Sequence, residues 1–289
     1  MKRRDFGRLC IATAANSFGL AAGAAAQPET IEPDTSLKRI GEKSGILFGL
    51  CEPGGRLGEE RPYFDRLAVE CSLLSPGNDF NWAAVQPSAP SEYRYASLDA
   101  AAAFCRAQRL GMIGHTLAWY YSVPAWAKVA EPNDFVAALG AYVTKTVQRY
   151  ADVVKRWDVV NEPVHPRSPR PDGLRESPFL EKAGPNFIRD AFINARRAAP
   201  GSLLCLNEYG FEYDDPDQKK KRALFLGLIR TLREAGAPID VIGLQSHLDA
   251  SKRLDLSGLE AMLRDIKALG LRVAVTELDV NDQKLPGDP

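Results

Sequence analysis

Histidine, cysteine and net charge are all scarce in this chain, and each scarcity removes a class of function. Only 3 His and 5 Cys occur among 289 residues. The cysteines are widely spaced with no Cys-x-x-Cys pair, and the histidines show no metal-ligand spacing, so neither a zinc site nor a dithiol centre is expected. Acid and base cancel, with 37 Asp and Glu against 37 Lys and Arg. No overall field then favours nucleic acid or an anionic membrane. A neutral substrate such as a polysaccharide is compatible with that balance. Internal repeats and low-complexity tracts are absent, and beyond residue 26 no apolar run reads as a bilayer span.

The N-terminus is different in character. Met1–Arg8 is basic, Leu9–Ala26 is apolar and small, and Ala24-Ala25-Ala26 precedes Gln27. That is the order of an export signal, and the apolar stretch is too short and Ala-rich for a membrane span. Arg3-Arg4 followed by Asp5-Phe6 resembles a twin-arginine signal, with an ordinary secretory signal as the alternative. The expected organisation is a signal over 1–26, a polar linker over 27–37 with Pro28 and Pro33, and one barrel over 38–289. The mature chain is then periplasmic or extracellular, has no membrane association and is a monomer. Cys10 leaves with the signal. Cys51, Cys71, Cys105 and Cys205 sit among apolar neighbours and read as buried free thiols, with a disulfide after export left open.

Along the rest of the chain, short apolar runs alternate with helical patterns. Gly45–Leu50, Leu67–Leu74, Met112–Ala118, Val154–Val160, Leu203–Leu206, Asp240–Gln245 and Arg272–Thr276 read as strands buried on both faces. Helical spacing fills the gaps. Leu98–Leu110 is one such segment, and Phe135, Leu139, Val143 and Val147 fall four apart on one face. Leu259, Met262, Leu263, Ile266 and Leu269 form another stripe, opened by Ser257 and Glu260 at capping-box spacing. Lys219–Arg222 reads as a solvated basic face at a helix start. Seven strands, six of them followed by a helix, predict an α/β fold with a parallel sheet, either open or closed as a (β/α)8-type barrel. The tail Asn281–Pro289 is polar, with Pro286 and Pro289, and cannot supply an eighth buried strand. The expectation is a C-terminally incomplete barrel, part of a longer chain.

The polar residues that interrupt these strands gather at their C-terminal ends, which in a barrel share one rim. The rim holds His115 and Trp119, Asn161 and Glu162, Asn207, Glu208 and Tyr209, Gln245 and His247, and Glu277 and Asp279. Carboxylates for bond chemistry, amides for hydroxyls and aromatics for pyranose faces make a sugar-like site. Side chains two apart on a strand point the same way, so His247 is expected to bridge Glu277 and Asp279 and keep Glu277 ionised. Glu162, three strands away, faces Glu277 across the mouth. A retaining glycosidase needs two carboxyls about 5–5.5 Å apart, one to attack and one to shuttle the proton.

Five segments in order, SPGNDFNW (75–82), GHTLAW (114–119), WDVVNE (157–162), GLQSHL (243–248) and TELDV (276–280), resemble the motifs of family 10 glycoside hydrolases. The resemblance runs from about Phe48 to Val280. It implies a barrel, retaining endo-β-1,4-xylanase activity on xylan or xylo-oligosaccharides, and no cofactor or metal. By that resemblance Glu162 is the acid/base and Glu277 the nucleophile. Asn161 binds the substrate 2-hydroxyl, and Gln245, His247 and Asp279 surround the nucleophile. His115, Trp119 and Tyr209 line the sugar site, and Asn78 lies one sugar further out. Gly77 and Asn81 replace a Glu and a Lys that grip that distal sugar, Tyr120 replaces a His, and the eighth strand with its active-site Trp has no counterpart. Those departures leave two alternatives, a glycosidase for short or aryl glycosides and a non-catalytic, defunct barrel.

Overall fold

The computed structural model describes residues 35–57 and 61–285. The signal and most of the linker lie outside the described residues. Seven parallel strands form one sheet in chain order. They are β1 (Gly49–Cys51), β2 (Leu73–Ser75), β3 (Gly111–Trp119), β4 (Val154–Asn161), β5 (Leu203–Glu208), β6 (Val241–Leu244) and β8 (Arg272–Val275). Between β6 and β8 in the chain lies β7 (His247–Asp249), which pairs in parallel with β9 (Asp279–Asn281) as a separate two-stranded ribbon.

The helices are α1 (Leu37–Lys43), α2 (Arg61–Glu70), α3 (Trp82–Val85), α4 (Ala96–Gln108) and α5 (Ala125–Lys128), then α6 (Pro132–Arg149), α7 (Pro178–Ala183), α8 (Phe187–Ala198), α9 (Pro216–Glu234) and α10 (Leu256–Ala268). Burial explains the longer ones. On α6, Phe135, Leu139, Val143 and Val147 are all buried, as their spacing predicts. Each such side chain contributes about 1.5–3 kcal/mol on leaving water. That is enough to dock a helix whose other face is polar. On the sheet's outer face the Trp157 ring lies 4.9 Å from that of Phe80, on the 3-10 turn after β2.

Several expectations need correction. Leu67–Leu74 is not a strand: its first half ends α2, where Phe64 and Leu67 are buried, and only Leu73–Ser75 is extended. A continuous apolar run carries no period that separates the end of a helix from the start of a strand. In Gly45–Leu50 only the end is strand, since Gly45 turns at φ 69°. At α10 the capping residue is Asp255, whose carboxylate accepts from the Gly258 N–H at 2.9 Å, so the Ser257 box does not form. Of the basic run Lys219–Arg222 only Lys219 and Lys220 are solvated, because Lys221 and Arg222 are buried, each against a carboxylate. Cys51 is exposed, whereas Cys71, Cys105 and Cys205 are buried free thiols. Burial pushes the Cys71 thiol up to about 11 and Cys105 to about 12, so both stay protonated and inert.

Candidate active site

Strand register assembles the site. Asn161 on β4 pairs with Asn207 on β5, and Asn207 pairs with Gly243 on β6. The two amides therefore lie side by side, and Gly243 gives them room. A Cβ at position 243 would sit 2.1 Å from the Asn207 side-chain oxygen. Beyond Asn161 the chain turns at once, since Glu162 has φ 56°. A non-glycine residue in this left-handed region costs of order 1–3 kcal/mol, and such strain clusters at functional sites. Here it points the Glu162 side chain inward among the amides, where it is 8% exposed.

A row of amides joins the two carboxylates. Asn207 Nδ2 donates to Glu277 Oε1 at 2.7 Å and to Asn161 Oδ1 at 2.9 Å. Gln245 Nε2 donates to the same Asn161 oxygen at 3.2 Å and to Glu162 Oε1 at 3.1 Å. Asn161 Nδ2 adds a bond to Glu162 Oε1 at 3.3 Å, and Thr276 Oγ1 fixes Asn207 by donating to its oxygen at 2.8 Å. Every amide in the row has its orientation fixed by a neighbour.

Two histidines flank Glu277. His247 Nε2 lies 3.4 Å from Glu277 Oε2, and its Nδ1 lies 3.0 Å from Asp279 Oδ2. The imidazole thus stands between the two carboxylates, although by a different route from the one expected. β6 stops at Leu244, and Ser246 at φ 61° breaks the strand before β7. His115 Nδ1 is 3.0 Å from Asp158 Oδ2 and 3.9 Å from Glu277 Oε1. Burial alone would lower the His115 pKa, but the Asp158 hydrogen bond and charge, with Glu277, raise it overall. For Glu277 the balance falls the other way. Burial raises its carboxyl, Asp158 adds to that, and His115, Asn207 and His247 only partly offset it. His247 alone does not hold it in the ordinary carboxylate range.

The remaining predicted residues lie around this centre. Trp119 packs against Tyr121 with ring centroids 5.3 Å apart, and its buried Nε1 donates to no atom among the described residues. Tyr209 accepts a hydrogen bond from Arg175 Nη2 at 3.1 Å. Asn78 is exposed on a 3-10 turn after β2 and accepts from Asn81 Nδ2 at 3.1 Å. Asn81 is turned inward, its oxygen accepting from the Thr116 N–H at 3.3 Å. Gly77 adopts φ 59°, a backbone conformation suited to glycine. Neither position presents a charged group to a distal sugar.

Four residues to which the sequence assigned no role belong here. Asn207 is visible as a polar strand end, but nothing in the pattern says that it serves both carboxylates. Asp158 is hidden inside an apolar strand. Arg175, in the loop after Glu162, donates to the Glu162 carbonyl at 2.8 Å and stacks 4.3 Å from the Tyr120 ring centroid. Lys221 pairs with Glu208 at 2.7 Å below Tyr209, both buried. Burial raises the Glu208 carboxyl, with Lys221 opposing it. Among the described residues, no group of three or more His, Cys, Asp and Glu is placed to hold a metal ion.

The glycosyl hydrolase family 10 model matches residues 36–287. Endo-1,4-β-xylanase B of Thermotoga neapolitana is 29% identical over 250 residues, which is 85% of this chain and 69% of that protein. Endo-1,4-β-xylanase 1 of Humicola insolens is 30% identical over 86% of this chain and 57% of its own length. The chain thus spans well short of the full length of these relatives. The crystal structure of xylanase 10B from Thermotoga petrophila with xylobiose superposes with a TM-score of 0.76, at 28% identity, over 85% of this chain and 73% of that one.

Proposed function

Because the chain belongs to glycosyl hydrolase family 10, we propose that it is a retaining endo-β-1,4-xylanase that cleaves internal bonds of xylan by double displacement. The observation that carries this reading is the amide row from Glu277 through Asn207, Asn161 and Gln245 to Glu162. In the first step Glu277 attacks the anomeric carbon while Glu162 gives its proton to the departing glycosidic oxygen. A covalent glycosyl-enzyme results. In the second step Glu162 takes a proton from water, the water oxygen bonds to the anomeric carbon, and Glu277 leaves as carboxylate. Asn207 and His247 hold the two Glu277 oxygens, Gln245 orients Glu162, and Asn161 meets the substrate 2-hydroxyl.

Release of reducing ends from xylan, set against β-glucan and cellulose, tests the reading. The first product followed by NMR should carry the β-anomer. No xylan hydrolysis, or an α-anomer formed first, overturns it. A second reading, activity on short or aryl glycosides, is favoured by one observation: Asn81 is turned inward and Gly77 has no side chain. The basic, apolar and small-residue pattern of residues 1–26 supports action outside the cytoplasm.

A further inference from the structure

Arg156 and Asp158 are two apart on β4 and so share a face, while Trp157 between them points the other way. Asp158 is 1% exposed and has three partners. Its Oδ1 accepts from Arg156 Nε at 3.2 Å, and its Oδ2 lies 3.0 Å from His115 Nδ1. The thiol of Cys205, its register partner on β5, lies beside it. His115 Nδ1 then stands 3.9 Å from Glu277 Oε1. A guanidinium, a carboxylate, an imidazole and the attacking carboxylate thus form one row beneath the amide row.

Nothing in the double displacement itself calls for an arginine there. Its side chain is only 13% exposed, and Asp158 is its one ion-pair partner among the described residues. The charges decide what it does. Asp158 sits close enough to Glu277 to oppose its ionisation, and the His115 ring that Asp158 holds outweighs that effect. Burial would also favour a neutral Asp158, which would release the His115 ring. The Arg156 charge and the His115 bond hold Asp158 below the usual carboxylate range instead. The other groups facing Glu277 are Cys51 at the end of β1, Asn207 on β5, and His247 on β7 with Asp279 behind it.

We propose that Arg156 is a positioning residue for the nucleophile: it keeps Asp158 anionic and His115 in place, and so sets the lower pH limit of the first chemical step. The proposal rests on the reading of Glu277 as nucleophile. Both are tested by the rate at which an activated 2-fluoro-xyloside inactivates the enzyme across pH, with the labelled peptide mapped. An activated leaving group needs no proton from Glu162, so the acidic limb reports the nucleophile.

In Arg156→Met that limb should move up by about one pH unit, a roughly tenfold loss at the foot of the profile, while the plateau changes little. Arg156→Lys should restore it. Asp158→Asn, which carries the neutral side chain that Arg156→Met allows, should move the limb the same way, and the double variant should go no further than Asp158→Asn alone. Independent structural damage would add in the double variant instead. An unmoved limb in Arg156→Met, or shifts that add in the double variant, overturns the proposal while a label on Glu277 leaves the nucleophile reading standing. A label on another carboxylate overturns both. Should Arg156→Met not fold, Arg156→Gln and Asp158→Asn carry the test, and an Asp158→Asn limb that does not rise overturns the proposal.

Discussion

Glu277 must be ionised to attack, and its surroundings oppose that. Burial raises its carboxyl, so protonation removes the nucleophile as pH falls through a value above the usual carboxylate range of about 4.3. The acidic limb of kcat/KM on an aryl xyloside should therefore lie above that range; a limb at or below it contradicts this account. Asn207 supplies the closest donor to Glu277. Asn207→Ala should cost about 1–3 kcal/mol of transition-state stabilisation, roughly five- to 160-fold in kcat/KM. Gly243→Ala should do nearly the same without touching either carboxylate, since the new Cβ meets the Asn207 oxygen at 2.1 Å. Full activity in Gly243→Ala would show that the amide row is dispensable. The distal sugar is a third case. With Gly77 and an inward Asn81, aryl xylobioside should gain little over aryl xyloside, and a large ratio of their kcat/KM values would contradict that.

At the scale of elements, the sequence revealed which segments alternate but less of where they stop. The α6 stripe and strands β3, β4 and β5 are long, strongly patterned and buried, so period and burial agree. The end of α2 and the start of β2 share one apolar run, and period is silent there. The β7–β9 ribbon is three residues a side, too short to show alternation. The same limit applies to the site. Glu162, Asn161, Gln245, His247 and Glu277 are polar interruptions of apolar strands and stand out. Asn207's double duty and the loop residue Arg175 depend on register and on a turn, which composition does not encode. The basic run opening α9 misleads for a related reason: charge suggests solvent, yet Lys221 pairs with Glu208 where both are buried. Lys221→Met should destabilise the fold by about 3–5 kcal/mol in denaturant melts, because it strands a buried carboxylate. Adding Glu208→Gln should recover part of that; no loss in the single variant would show the pair to be dispensable.

At the scale of the whole sheet, the described residues form an open one. β1 and β8 do not pair with each other among the described residues, and Leu50, Val273 and Val275 on these edges are exposed. Exposed apolar edges bind hydrophobic dyes and other strands. This chain should bind ANS and self-associate with rising concentration, and Leu50→Lys with Val275→Lys should reduce both; a dye-silent monomer would contradict the exposed edges. At the C-terminal ends of the strands, β4, β5, β6 and β8 join two carboxylates by one row of amides, and that arrangement is the central claim. It is tested most directly by trapping the covalent intermediate with a 2-fluoro-xyloside and mapping the modified peptide by mass spectrometry. The account predicts one label per chain, on Glu277, and inactivation in step with labelling. A label on any other residue, or inactivation of xylan hydrolysis without a covalent adduct, would contradict it.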